Sequence, residues 1–253
     1  MSADFKLNEG ETIYIAVGQM GTNGREVGGG GGGTFVVKKP QGYGFSEAEA
    51  EDIFLVAAGG AGSPCDNDFG RGGDGQGKRH TLKRNGNGGS GREHFYNDAN
   101  EEAAGGGGFY HDGYKTRNCD GGQGFTTGLK GGKGHGARGS GTCQTGGGFG
   151  GGAGQVSDGS PGAGGWVGGK GNPGPGHPGR NKAWSYISDS ATDETRQSGS
   201  NEGHGLVVIQ LILEQSFEVL ENHSELGSEL EGYKKRIKTQ SSNKLPFFLK
   251  HKI

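Results

Sequence analysis

The amino-terminal part of the chain alternates apolar and polar residues at the spacing of β-strands. Phe5 and Leu7 flank a charged residue, the turn-like segment 8–10 follows, and apolar residues then recur at every second position across segment 13–17. Alternation with this period places apolar side chains on one face of a strand. The pattern predicts a β-hairpin at the start of the chain.

Further strands are predicted from short apolar runs that are rich in β-branched residues. These runs are Thr34-Phe35-Val36-Val37, Ile53-Phe54-Leu55-Val56 and the longer segment Leu206–Leu213. The last is apolar on both faces, which is typical of a buried strand. We therefore expect residues 1–58 and 203–213 to form one β-module, with 203–213 as its closing strand.

Glycine dominates the sequence between these segments, in residues 59–202. The chain has 61 glycines among 253 residues, many of them in doublets and longer runs. Such a region either stays disordered or forms many backbone hydrogen bonds, which offset the conformational entropy that glycine loses on folding. The low net charge of −2 and the clustering of apolar residues favour order. The ordered option is an insert of polyglycine-II-like helices, which have three residues per turn and bond only to neighbouring helices.

Single aromatic residues follow the glycine runs. Phe35, Phe109, Phe149 and Trp166 all occupy this local position. They could contact a partner or fill the edges of a glycine bundle. Packing is the favoured interpretation, because large aromatic side chains bury extensive apolar area.

Residues 214–253 have a different composition. Val219, Leu226, Leu230 and Tyr233 recur at helical spacing, and basic residues fall near the end of the pattern. This is typical of an amphipathic helix. We expect a short carboxy-terminal helix that packs on its own sheet, or a frayed tail.

Charge and hydropathy restrict the classes of partner. The 26 basic and 28 acidic residues give no basic surface for nucleic acid or an anionic membrane. The sequence as given starts without a signal-peptide pattern, and Leu206–Leu213 is too short to span a bilayer. We therefore expect no nucleic-acid partner and no membrane insertion by this chain.

Motifs for nucleotides, metals and catalysis are weak. Segment 134–139 fits the dinucleotide fingerprint, and segments 72–78 and 164–170 fit a phosphate loop up to its lysine, but all lack the required strand and helix. The alternation of His111, Cys119, His135 and Cys143 could suggest a zinc site, but no close ligand pair exists to form one. No nucleophile motif is present. The sequence predicts no catalytic residues, no cofactor and no metal.

The three cysteines leave two alternatives open. In an extracellular protein, Cys119 and Cys143 are the more plausible disulfide pair, and Cys65 then needs a partner outside this sequence. In a cytosolic protein all three are free thiols. The sequon Asn222-His223-Ser224 is meaningful only in the extracellular case.

Several segments together resemble the glycine-rich extracellular domain of the anaplastic lymphoma kinase and leukocyte tyrosine kinase receptors and of related glycine-rich proteins. The segments that carry the resemblance are Phe5–Gly21, Gly28–Val37, Val56–Gly62, Gly147–Gly152, Gly164–Gly169 and Gly203–Ile209. They span most of residues 3–213 in order. The family's opening strands and its kinase are absent from this sequence.

The resemblance implies a fold and a function. The implied fold is mainly β: an incomplete tumour-necrosis-factor-like β-sandwich that carries an insert of packed polyglycine helices. The implied function is a non-catalytic extracellular module that binds a protein ligand and brings a second receptor chain close. The ligand-binding residues stay unknown. The alternative is a structural glycine-rich secreted protein of matrix or coat type, without a receptor role.

Overall fold

The protein is mainly β in the part of the chain that the structure describes. The computed structural model describes residues 1–23, 27–39, 45–63, 87–89, 92–96, 99–135, 144–156, 159–172, 182–199 and 201–210. The strands within these ranges are β1 (Ser2–Asp4), β2 (Ile13–Ala16), β3 (Thr34–Lys38), β4 (Ile53–Ala57), β5 (Arg92–Tyr96), β6 (Ala99–Ala103), β7 (Gln144–Thr145), β8 (Gln155–Val156), β9 (Tyr186–Ile187) and β10 (Thr192–Thr195). Short 3₁₀ turns lie at Phe45–Glu47, Ala50–Asp52 and Phe125–Thr127. The predicted helix at 214–253 lies outside the described residues.

An antiparallel sheet with the order β2-β3-β4-β9 forms the centre of the fold. The predicted strands at 34–37 and 53–56 are confirmed as β3 and β4, which are rich in β-branched residues and almost fully buried. The fourth strand, β9, pairs with β4 through Leu55 opposite Ile187 and Val56 opposite Tyr186. It comes from within the range predicted as the glycine-rich insert.

The predicted amino-terminal hairpin is wrong. β1 does not pair with β2; it pairs antiparallel with β10, and the two form a separate two-stranded sheet. Ala3 and Phe5 are buried, and they pack with Val36 and Leu55 of the central sheet. Burial of this apolar edge against the sheet therefore takes precedence over pairing with the next strand in sequence.

The prediction of a buried closing strand at 206–213 is also wrong for residues 206–210. These residues have no strand pairing, and Leu206, Val208 and Ile209 are exposed. Val207 is partly buried against the central sheet. An apolar, β-branched run alone does not supply a pairing strand. Residues 211–213 lie outside the described residues.

A second four-stranded sheet lies within the glycine-rich region, with the order β5-β6-β8-β7. β5 and β6 form a hairpin with Arg92 opposite Ala103 and Tyr96 opposite Ala99. β8 joins β6 to β7 through short pairings. The sequence predicted an insert of polyglycine-II-like helices here rather than strands.

The two faces of the central sheet pack against different parts of the chain. On one face, Phe35, Val56 and Tyr186 pack against aromatic residues of the glycine-rich region. Phe109 stacks on Phe125 with ring centroids 4.8 Å apart, and Trp166 lies 4.9 Å from the ring of Tyr186. The other face is covered by Met1, Ala3 and Phe5. The sheet is thus the element that joins the amino-terminal strands to the glycine-rich region.

Backbone hydrogen bonds in the glycine-rich segments repeat every third residue. Each N–H group of segment 28–33 donates to one of three neighbouring segments, and the same neighbour returns after three residues. The pairs are Gly28 to Ser63 and Gly31 to Gly60, Gly29 to Thr22 and Gly32 to Gln19, and Gly30 to Ala153 and Gly33 to Gly150. Segment 104–109 follows the same rule with segments 151–154, 111–114 and 166–169. These segments therefore bond sideways to three neighbours rather than within themselves.

Close contact between backbones is the reason for glycine at these positions. A Cβ atom built on Gly30 would overlap the carbonyl of Gly162, and one on Gly106 would overlap the carbonyl of Ala163. Backbone atoms of a neighbouring segment cannot move aside as a flexible side chain can. Any other residue would push the hydrogen-bonded segments apart.

Replacing Gly106 by alanine tests this packing. We expect Gly106→Ala to lower the free energy of unfolding by about 1–3 kcal/mol or more, because overpacking of a tight interior forces the backbone to shift. The matched control is Gly146→Ala, whose added Cβ would lie 3.5 Å from Thr22 Oγ1, an ordinary contact. The control should change stability by less than about 1 kcal/mol. Urea unfolding measures both; equal losses would contradict tight packing at Gly106.

An ion pair at the edge of the central sheet makes stability depend on pH. Glu11 Oε1 lies 2.7 Å from Lys38 Nζ and also accepts a hydrogen bond from the side chain of Asn8. These bonds lower the pKa of Glu11 from 4.5 to about 2. The carboxylate's stabilisation is therefore complete above pH 4.5 and is lost as the pH falls towards 2.

We expect the melting temperature of the wild type to fall between pH 5 and pH 2 by more than that of Glu11→Gln. At pH 7 the variant should lose less than about 1 kcal/mol, as is usual for a surface pair. Glu9→Gln, in the same turn, controls for the change in charge. Thermal unfolding followed by circular dichroism across this pH range measures the difference. Parallel curves for the wild type and Glu11→Gln would rule out this contribution.

Candidate protein-binding surface

Exposed apolar side chains occur in two segments that are distant in sequence and joined by hydrogen bonds. We call them the apolar surface: Ile15, Val17, Met20, Leu206, Val208 and Ile209. The Gly205 N–H donates to the Gly18 carbonyl at 2.8 Å. The Met20 N–H lies 3.2 Å from His204 Nδ1. These two hydrogen bonds hold segment 203–205 against segment 18–20, from which the apolar residues extend.

Strand β2 places Ile15 on the face of the sheet that β1 covers elsewhere. Ile13 packs with the cluster on that face, and side chains alternate along a strand, so Ile15 shares the face of Ile13. The register joins Ile15 to Val36, then Leu55, then Ile187 in one row across the sheet. Val36, Leu55 and Ile187 are fully buried, whereas Ile15 is 39% exposed. The cover therefore reaches Ile13 on β2 but leaves Ile15 partly exposed.

Segment 206–210 borders this uncovered part of the sheet. Leu206 and Val208 are exposed, while Val207 between them is partly buried against the covered face. This alternation is typical of an extended backbone with one side inward. Within the described residues no strand pairs with this segment. Exposed apolar side chains therefore lie on both of the segments that meet at Gly18 and Gly205.

A small cleft adjoins the apolar surface. Its walls include Met1, Gln19, Thr34 and Asn201 together with glycine backbone, and its volume is about 120 Å³. Pockets that enclose small molecules usually measure roughly 300–1,000 Å³. The cleft therefore fits a few water molecules or one inserted side chain rather than a metabolite.

Of the two cysteines in the predicted disulfide, the structure describes Cys119 but not Cys143. Cys119 is a buried free thiol whose Sγ lies 3.5 Å from the backbone carbonyl oxygen of Glu102. Burial raises the pKa of the Cys119 thiol to about 12. Cys143 and Cys65 lie outside the described residues, so the pairing of Cys119 with Cys143 stays a prediction.

The carboxylate of Glu102 organises the loop before Cys119. Glu102 is fully buried, and its oxygens accept hydrogen bonds from Thr116 Oγ1 at 2.8 Å, the Asn118 N–H at 2.6 Å and Asn118 Nδ2 at 2.7 Å. A buried carboxylate is tolerated when such donors surround it. These contacts fix the loop, and they leave the thiol facing the interior.

The metal candidates named in the sequence are not brought together among the described residues. The Cys119 thiol is buried, His111 is exposed, and His135 Nε2 lies 2.7 Å from Asp120 Oδ2. Cys143 lies outside the described residues. Across the described ranges, no group of three or more histidine, cysteine, aspartate or glutamate residues is arranged to hold an ion.

Segment 164–170, which fits the sequence pattern of a phosphate loop, is one of the glycine segments that hydrogen-bond to each other. The N–H groups of Gly164, Gly165 and Gly168 donate to carbonyls of Gly31, Gly107 and Asn87. A phosphate loop needs these donors free for its ligand. This segment therefore cannot cradle a phosphate in this fold. Segment 72–78 and most of segment 134–139 lie outside the described residues.

The prediction that the aromatic residues after glycine runs pack in the interior holds for some of them and fails for one. The packing interpretation is confirmed for Phe35, Phe109 and Trp166, which are buried in the cluster beside the central sheet. It is wrong for Phe149, which is 38% exposed. The apolar surface was not predicted, because alternation indicates which face of the strand Ile15 occupies but no local signal in the sequence shows that Ile15 is exposed.

No protein-family model matches the chain, and no curated protein matches it either. Over the described ranges, none of the helical segments has the length and apolarity of a membrane crossing.

Because Cys119 is buried, we expect its thiol to react slowly in the folded protein. The thiolate is the reactive form of cysteine, so a thiol that is buried and has a raised pKa reacts slowly. In reduced protein at pH 8, we expect iodoacetamide to label Cys119 at least about tenfold more slowly in the folded state than in urea. Peptide mass spectrometry measures the two rates at Cys119 itself. Similar rates would show that the thiol is accessible.

Proposed function

We propose that the protein is a non-catalytic extracellular module that binds a protein ligand. The observation that carries the proposal is the apolar surface, where large aliphatic side chains from segments 15–20 and 206–209 stay exposed on a hydrogen-bonded framework. Contiguous exposed apolar side chains rimmed by polar residues mark protein interaction sites in soluble proteins. The adjoining cleft is too small for most metabolites, which favours a protein partner.

We further propose that the glycine-rich region is a bundle of polyglycine-II-like helices carried by an incomplete tumour-necrosis-factor-like sandwich. The recurrence of each hydrogen-bonding neighbour after three residues supports the helices, because polyglycine II has three residues per turn and no internal hydrogen bonds. The partial cover of the central sheet by Met1, Ala3 and Phe5, beside the two-stranded sheet of β1 and β10, supports the incomplete sandwich.

The resemblance of this sequence to the anaplastic lymphoma kinase and leukocyte tyrosine kinase receptor domains agrees with both proposals. In such a protein the glycine bundle serves as a rigid support rather than as a site. Its close-packed backbones leave no room for side chains that could do chemistry. The binding residues then belong to the sheet and its flanking segments.

The alternative is a structural matrix or coat protein. The glycine bundle favours it, because backbone-to-backbone bonding could continue from one chain to the next. A matrix protein should form assemblies of increasing size with increasing concentration. A ligand-binding module should instead stay in small, discrete species.

Binding to secreted proteins tests the proposed function. We expect the immobilised full chain to bind a member of a panel of purified small secreted proteins saturably in biolayer interferometry. Ile15→Lys should weaken that binding by more than about 30-fold, the loss of about 2 kcal/mol that marks an interface hot spot. Tyr114→Lys changes a side chain that is 69% exposed outside the apolar surface and should leave affinity unchanged.

Thermal unfolding of both variants checks that the fold is retained. Absence of saturable binding across the panel would contradict the proposed function. Equal affinities for Ile15→Lys and Tyr114→Lys would show that the ligand binds elsewhere on the protein.

A further inference from the structure

His204 joins the two segments that carry the exposed apolar side chains. Its ring Nδ1 lies 3.2 Å from the backbone nitrogen of Met20. The next residue, Gly205, donates its backbone N–H to the carbonyl of Gly18 at 2.8 Å. The ring therefore supplies a hydrogen bond between segments that are distant in sequence.

The residues around His204 fix the position of its backbone. Gly203 has a φ of +91°, which residues with a side chain rarely adopt. A Cβ atom on Gly205 would lie 2.5 Å from Thr34 Oγ1, so a residue with a side chain would not pack this closely. The Asn201 side chain donates a hydrogen bond to the His204 carbonyl at 2.9 Å. These constraints hold His204 where its ring reaches the neighbouring segment.

The contact with Met20 requires a neutral His204 ring. The donor is a backbone N–H, so Nδ1 must accept and the ring proton must be on Nε2. Protonation of the ring places an N–H on Nδ1 opposite the Met20 N–H, and two donors cannot bond to each other. Histidine is the side chain that ordinarily changes its charge between pH 5 and pH 8. Acidification that protonates the ring therefore removes this hydrogen bond.

Segment 18–23 and β3 carry no carboxylate that could compensate a charged ring. Residues 18–23 read Gly-Gln-Met-Gly-Thr-Asn, and all six are uncharged. β3 approaches Gly205 through Thr34, and its one ionisable residue is Lys38 at the other end, which pairs with Glu11. Protonation therefore replaces a hydrogen bond by a charge, without a new salt bridge to these elements.

Ionisable groups also lie on the segment of His204 itself and in the adjoining cleft. Glu202 is exposed, and its negative charge favours protonation of the ring. Arg196 forms an ion pair with Glu194. Met1 lines the cleft, and burial lowers the pKa of its amino group. Because the Met1 amino group also titrates, the experiment compares variants of His204 at each pH.

We propose that His204 is a pH-dependent switch for the apolar surface. The neutral ring holds segment 203–210 against segment 18–20, and the protonated ring loosens it. The bond from Gly205 and the packing of Val207 remain, so acidification raises the population of a detached segment without detaching every molecule. The biological role, weaker ligand binding in acidic surroundings, rests on the protein-binding function proposed above.

Hydrogen exchange of the Met20 and Gly205 amides, followed by NMR in the full chain, tests the switch without a ligand. Each rate is divided by the intrinsic exchange rate at the same pH, which gives a protection factor. From pH 8 to pH 5 we expect both protection factors to fall by about three- to tenfold, because one hydrogen bond is lost. The Gly31 amide, which bonds to Gly60 in the glycine bundle, should keep its protection.

Variants of His204 separate its ring from other groups that titrate. The side chain in His204→Gln does not change charge, so the protection factors should not depend on pH. In His204→Ala they should be low at both pH values. His111→Gln removes another exposed histidine and should respond to pH like the wild type. A pH dependence in His204→Gln equal to that of the wild type would overturn the proposal and point to the Met1 amino group.

The ring nitrogen shifts of ¹⁵N-labelled histidine test the geometry directly. At pH 8 the His204 ring should carry its proton on Nε2. A proton on Nδ1, or a Met20 protection factor that is the same at pH 8 and pH 5, would also overturn the switch.

Binding of the secreted-protein panel at both pH values separates the switch from the proposed function. If the amides respond to pH and no panel protein binds, the switch stands and the ligand-binding function fails. If a panel protein binds in a manner that Ile15→Lys weakens and the amides do not respond, the function stands and the switch fails. If both hold, acidification should weaken binding by the wild type about three- to tenfold more than binding by His204→Gln. Equal weakening would show that the switch does not regulate the surface.

Discussion

Hydrogen bonding between bare backbones, repeated at every third residue, is the interaction on which the fold depends. Segments 28–33 and 104–109 satisfy their N–H groups by bonding to three neighbours each. An α-helix forms its backbone hydrogen bonds within itself, and a strand in a flat sheet bonds to at most two neighbours. In this arrangement each segment bonds to three neighbours. It requires positions without Cβ atoms, which explains why glycine is so abundant here.

The central sheet joins this backbone network to an apolar core of side chains. One face supplies Phe35, Val56 and Tyr186 to an aromatic cluster with Phe109 and Trp166. Aromatic side chains at the ends of glycine segments anchor them, because the glycines themselves have no side chains to bury. The opposite face is covered by Met1, Ala3 and Phe5, and Ile15 on that face stays partly exposed.

Local patterns predicted the sheet well where strands are apolar and buried on both faces. β3 and β4 follow directly from their β-branched runs. β9 has two residues and β10 has four exposed ones, so neither carries a periodic signal. The pairing of β1 with β10 joins residues from opposite ends of the described chain, and nothing local specifies it. For segment 206–210 the sequence indicated an extended apolar chain, but exposure depends on whether another strand is available to cover it.

The bonding partners of segment 28–33 have a consequence for synthesis on the ribosome. Gly30 and Gly33 complete their hydrogen bonds only with Ala153 and Gly150, which emerge much later. At roughly 5–20 residues per second, several seconds pass between the two segments. During that interval the nascent amino-terminal glycine strand must remain solvated, and a chaperone or the ribosome surface has time to shield the neighbouring apolar strands.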